Sequence, residues 1–160
     1  MRNETITLYQ FHELSDKAKE KARDWYRDGD IYHWHDDARA SIEAFCDAFN
    51  VRLSDWSVGA FMPYHYRVDA SNDNFRGRRL REFNRDHMPT GYCLDCALWQ
   101  TFYDEFKKTG DAKGAFYSAL DAGFKAWRDD IEYAYSDEAV DESIEMNEYE
   151  FESDGRRARF

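Results

Sequence analysis

Two histidines and two cysteines stand in patterns that could serve a metal. His33-Trp34-His35 runs into Asp36-Asp37, and Cys93-x-x-Cys96 lies sixty residues further on. Two imidazoles and two thiolates would complete a tetrahedral zinc set. The frame speaks against it, because His-x-His is not the wider histidine spacing of zinc modules. Cys93 and Cys96 also open an amphipathic helix, where residues three apart can both face a core. We therefore expect buried thiols, a surface histidine pair, no metal and no cofactor. Nucleophilic catalysis has even less to stand on. Gly-x-Ser-x-Gly, a phosphate loop and His-Glu-x-x-His are all absent. Asp36 and Asp37 beside His35 are neighbours on a helix and face apart. His65 between Tyr64 and Tyr66 fits the solvent face of a strand. No catalytic residue is assigned, and the chain is expected to be a non-enzyme. The enzymatic alternative is a small metal-dependent enzyme built on the His/Cys set.

Residues 128–154 carry the strongest signal. After Arg128 this stretch holds twelve carboxylates and no Lys or Arg. Ile131, Ala134, Tyr135, Val140 and Ile144 recur through it at helical spacing, which predicts a packed element with one acidic face. On a helix over 137–146, Val140 and Ile144 point one way, while Glu138, Asp141, Glu142 and Glu145 point the other. Like charges at this spacing each cost a few tenths of a kcal/mol. At a rise of about 1.5 Å per residue, the charges fall roughly 3 Å apart along an ideal axis. Phosphates on one DNA strand advance about 3.4 Å each. The partner-binding residues named on this basis are Asp129, Asp130, Glu132, Asp137, Glu138, Asp141, Glu142 and Glu145. A solvated face is the plain alternative, with Asp137 and Glu138 favouring a helix N-terminus. Neutralisation by Arg76–Arg85 or by the arginines of 156–159 is another.

The arginine-rich segment holds Arg76, Arg78, Arg79, Arg81 and Arg85 among Phe75 and Phe83. Such a pattern can contact phosphates. In a chain of net charge −11, internal pairing with the excess acids is the expected use. The same net charge disfavours direct binding to nucleic acid or to an anionic membrane and favours a basic partner.

These residues must be held by elements. A chain of 160 residues is read as one domain, 1–160. Mean hydropathy of −0.91 leans towards disorder. The aromatic content of 18% and its periodicity outweigh that. A strand is expected over 4–11 and a helix after Ser15, capped by that serine and ended by Gly29. Helices follow over 36–49, 93–108, 112–135 and 137–146, with a short one over 75–87. Strands fall at 51–58 and 61–70, turning near Gly59. Leu98, Phe102 and Phe106 should pack on Phe116, Leu120, Phe124 and Trp127 as an antiparallel pair turned at Gly110-Asp111. Asp154-Gly155 marks a C-terminal hairpin. The fold class is α+β: a predominantly helical single domain with a small antiparallel sheet joining the N-terminal strand, the 51–70 hairpin and the C-terminal hairpin. The opening residues lack the apolar run of a signal peptide, and no stretch approaches the roughly 20 apolar residues of a membrane helix. Three cysteines, an odd number, fit a reducing cytoplasm.

Leu8-Tyr9-Gln10-Phe11, the run Glu13-Leu14-Ser15-Asp16-Lys17-Ala18-Lys19-Glu20-Lys21-Ala22, Ser136-Asp137-Glu138-Ala139-Val140, Asn147-Glu148-Tyr149-Glu150-Phe151 and Asp154-Gly155 resemble a family of small phage and prophage proteins, some labelled antitoxins. The resemblance lies at the two ends and departs around the cysteines and the arginine cluster. It implies phage biology in a host-cell cytoplasm and brings no catalytic motif. The expected function is a phage-type accessory protein. It would inhibit a basic host protein that handles nucleic acid or serves in defence, in an anti-CRISPR-like or other anti-defence manner, by stoichiometric binding through the acidic face. An antitoxin that holds a basic toxin is the alternative among binders.

Overall fold

The structure, a computed structural model, describes residues 2–77, 80 and 83–159. It is α+β and mainly helical, with two small antiparallel sheets of two strands each. The chain divides into two compact units: Met1–Tyr32 with Tyr133–Phe160, and His33–Glu132.

The first unit brings the two ends of the chain together. Strand β1 (Tyr9–Gln10) pairs antiparallel with β4 (Glu150–Phe151), setting Tyr9 opposite Phe151. The strand expected over 4–11 is thus two residues long, because Phe11–Glu13 turns into a 3-10 helix. Two helices follow one local rule. In α1 (Asp16–Arg27) the Ser15 hydroxyl accepts the Ala18 N–H at 3.2 Å. In α5 (Asp137–Met146) the Ser136 hydroxyl accepts the Ala139 N–H at the same distance. Each serine is followed by an aspartate that complements the helix N-terminus. Ala18 and Ala22, one turn apart, bury in a cluster with Val140 and Ile144, also one turn apart, and with Phe11, Leu14 and Phe151. Trp25 closes the rim, its ring 5.3 Å from that of Tyr149 and 5.9 Å from that of Phe151. The Arg157 guanidinium lies 4.8 Å over Tyr149, a cation–π contact. The C-terminal return is a single bridge, Phe151 to Arg157, after the turn at Gly155.

The second unit is built on rings. It holds α2 (His35–Ala48), β2 (Arg52–Ser57), β3 (His65–Asp69), a 3-10 turn (Asn72–Phe75), α3 (Leu94–Thr109) and most of α4 (Ala112–Ala134). Gly110 ends α3 in the left-handed conformation at φ 71°, and Asp111 caps α4 by accepting the Gly114 N–H at 3.1 Å. Leu98 and Gly123 are equally far from that turn, as an antiparallel pair requires. A Cβ at Gly123 would come within 2.4 Å of Leu98, so the glycine is what lets α3 approach. Leu98, Phe102, Phe116, Leu120, Phe124 and Trp127 are all buried, and Phe106 is half-buried. The two aromatic rows are bridged by α2. Phe45 lies 4.9 Å from Trp99 and 5.2 Å from Phe116, and Phe49 lies 4.9 Å from Phe102 and 5.3 Å from Phe116.

The hairpin covers α4 with its inner face. Trp56 packs 5.0 Å from Trp127, and Tyr66 stacks 5.0 Å from Phe124. Leu53 and Trp56 both face inward although three residues apart, because the register shifts between Leu53 and Asp55. That shift is a β-bulge, which adds one residue to a strand and resets its alternation. One expectation is corrected here. The N-terminal strand pairs with the C-terminal strand and not with the 51–70 hairpin, so the described residues form two sheets instead of one. Of the short helix expected over 75–87, Phe75 ends a 3-10 turn, Leu80 is helical, and Arg78, Arg79 and Arg81 lie outside the described residues.

Candidate protein-binding surface

Helix α5 carries five carboxylates, which divide by geometry. Val140 and Ile144 are fully buried, which turns the opposite face outward. Asp137 and Asp141 flank the buried seam and meet two arginines of α1. Arg23 grips Asp141 with both arms, Nε to Oδ1 at 2.6 Å and Nη2 to Oδ2 at 2.9 Å. Its remaining nitrogen reaches Glu20 at 2.7 Å. Arg27 donates to Asp137 and to the Tyr135 carbonyl at 3.0 Å. The partners run in opposite order along the two helices, so the pairs are rungs of an antiparallel ladder. The Arg23–Asp141 rung is bidentate, the strong form of an ion pair. The hydrogen bond to Asp141 raises the Arg23 guanidinium pKa above its usual range, against a smaller opposing effect of burial.

Glu138, Glu142 and Glu145 are left. All three are exposed, and no hydrogen bond or ion pair reaches their carboxylates from the described residues. They stand four and three residues apart on one helix face, held by a buried seam on the other side. The expectation of one undivided acidic face is therefore corrected: Asp137 and Asp141 serve the packing of α1 on α5. The cations that take them are Arg23 and Arg27, which were not among the anticipated neutralisers. A signal for them exists in the sequence. Arg23 and Arg27 are four apart, as are Asp137 and Asp141, and each pair lies on a helix opened by Ser-Asp.

Asp129, Asp130 and Glu132 belong to the other unit, at the end of α4. Asp129 and Asp130 are exposed, and Asp129 lies 3.9 Å from both Lys125 and Arg128. Glu132 is half-buried and accepts the Phe61 N–H at 2.9 Å. That contact holds a hairpin loop whose Phe61 has a left-handed backbone (φ 58°) and a side chain 77% exposed.

The ladder has a pH signature. Hydrogen bonding to Arg27 holds the Asp137 carboxyl below its ordinary value of 3.8. Asp154 is lowered too, by the Arg156 N–H first and then by Lys21. A folded-state value below the unfolded one means that the fold prefers the ionised form. The contribution is full above the unfolded value and is lost as pH falls through the folded one. We expect the carboxyl carbon of Asp137 to titrate below the ordinary carboxylate range by NMR, and Arg27→Gln to return it there. An Asp137 titration unmoved by Arg27→Gln would remove this rung.

The histidine–cysteine set does not assemble. His33, His35 and Cys93 are exposed and Cys96 is half-buried. Trp34 stacks on Tyr92 at 6.2 Å, which brings the two segments side by side. Among the described residues, no three His, Cys, Asp or Glu side chains gather closely enough to hold a metal ion. His65 pairs with Asp55 at 3.1 Å on the exposed face of the hairpin. Among the described residues, no helix is long and apolar enough to cross a membrane. No family model, curated protein or solved structure matches the chain.

Proposed function

We propose that the chain is a phage-type accessory protein that inhibits a basic, nucleic-acid-handling host protein by stoichiometric binding. Its contact is the outer face of α5. The observation that carries this reading is the unpaired trio Glu138, Glu142 and Glu145 beside two aspartates that are paired. Mutual repulsion at this spacing opposes the helix, and a basic partner offsets it. The unit that holds α5 contains sixteen Asp and Glu against nine Lys and Arg. The excess draws a cationic surface in from a distance and repels nucleic acid itself.

The test is capture from bacterial lysate at low and high salt, with Glu138→Lys/Glu142→Lys/Glu145→Lys alongside. The native chain should retain a basic nucleic-acid-binding protein at about 0.05 M salt and release it by about 0.3 M, as the Debye length shrinks. The reversed chain should retain none of it while keeping its circular dichroism spectrum, because the three sites are exposed and unpaired. Equal capture by the reversed chain would remove α5 from the mechanism. Capture of a small basic toxin in place of a nucleic-acid-binding protein would favour the antitoxin reading.

A further inference from the structure

We infer that Met88, Cys93 and Cys96 form a binding site for a soft monovalent metal ion, copper(I), in the unit that does not contain α5. Cys93 is the residue before α3 and already has helical dihedrals, φ −58° and ψ −24°. Its side chain and that of Cys96, three residues on, therefore share one face of the first turn. Cys96 Sγ also lies 3.5 Å from Met88 Sδ. Two sulfurs that each sit about 2.3 Å from one ion are roughly 4 Å apart in a trigonal arrangement. Met88 and Cys96 need to part only slightly to admit the ion. None of the three residues is buried: Cys93 is exposed, Cys96 half-buried and Met88 41% exposed.

The loop that carries Met88 is held by the helix that carries the cysteines. Asp95, fully buried, accepts through Oδ2 from the Thr90 N–H at 3.0 Å, the Thr90 hydroxyl at 2.8 Å and the Gly91 N–H at 3.0 Å. The Thr90 hydroxyl also contacts Ser41 Oγ of α2 at 3.0 Å. The backbone two and three residues after Met88 is thus tied to the first turn of α3 by a buried carboxylate, independently of any metal. Donor softness selects the ion. Two thiolates and a thioether suit copper(I), whereas zinc takes nitrogen, oxygen and thiolate donors in a closed tetrahedron. No third His, Cys, Asp or Glu joins this group among the described residues. Binding replaces two S–H bonds by two copper–thiolate bonds and releases two protons to solvent, so affinity rises with pH. The third thiol, Cys46, is excluded from this chemistry by burial, which pushes its pKa up to about 12.

The test is anaerobic titration of the full chain with copper(I) against bathocuproine disulfonate. One copper per chain should resist a competitor concentration that strips Cys93→Ser and Cys96→Ser. Met88→Leu should weaken retention by about tenfold, in the range for groups that support a metal site. The cysteines are not core residues, so circular dichroism should stay native in these variants. Copper stripped equally from the native chain and the Cys93→Ser/Cys96→Ser chain would overturn the site. Unchanged affinity in Met88→Leu would overturn the three-sulfur set, and zinc held as tightly as copper(I) would overturn the assignment of the ion.

Discussion

Phe49→Ala is expected to destabilise the ring-built unit by about 3–5 kcal/mol. Phe49 is 1% exposed and packs within 6 Å of six other rings: Phe45, Phe75, Phe83, Trp99, Phe102 and Phe116. Those rings come from α2, α3, α4 and the segment between the hairpin and α3. Removing the central one leaves a cavity that no single helix can close. The loss combines transfer free energy with the contacts forfeited around the void. The chain has five tryptophans: Trp25 lies in one unit, and Trp34, Trp56, Trp99 and Trp127 in the other. Indole NMR signals followed through a urea series therefore read the units separately. The signal of Trp99 should vanish at lower urea in Phe49→Ala. A shift equivalent to less than about 1 kcal/mol, the range of tolerated core swaps, would show that Phe49 is not the hub of this core.

Gly155→Ala should be as damaging to the unit formed by the chain ends. Gly155 has φ 90°, a conformation that favours glycine. An added Cβ would lie 2.1 Å from the Ala18 carbonyl oxygen, 2.8 Å from its carbon and 3.0 Å from its Cα. Those are backbone atoms inside α1, so no rotamer change relieves the overlap. Either the C-terminal turn moves off α1, or α1 moves off the seam with Val140 and Ile144. Backbone strain of this kind costs on the order of 1–3 kcal/mol before the overlap is counted. The Trp25 indole signal should be lost at lower urea, with Trp99 as the internal reference. Unchanged stability would mean that the turn does not rest on α1.

The local signals were legible in the sequence for definite reasons. Ser15 and Ser136 announce helices because each hydroxyl satisfies a nearby N–H. Gly110 breaks the aromatic rows because a left-handed residue must end α3. The apolar spacing of Ile42, Phe45 and Phe49 marks a buried stripe without reference to anything distant. What escaped depended on partners far along the chain. Two residues of β1 find β4 from the other terminus, and nothing near Tyr9 specifies Phe151. The bulge between Leu53 and Asp55 is invisible to an alternation rule, because it breaks the alternation that the rule counts. The acidic stretch was legible as charge but not as pairing. Arg23 and Arg27 sit in a mixed-charge helix, and a search for basic clusters passes over them in favour of the denser run at 76–85. The exposed trio on α5 is what remains once that pairing is known.

The most direct measurement of the proposed inhibition is a competition. The captured host protein is loaded with labelled nucleic acid, and the chain is titrated in at low salt while bound label is followed. We expect the native chain to displace the nucleic acid one for one, with affinity falling steeply as salt rises. We expect Glu138→Lys/Glu142→Lys/Glu145→Lys to displace none. Simultaneous binding of chain and nucleic acid, or equal displacement by the reversed chain, would contradict the assignment of α5 as the inhibitory surface.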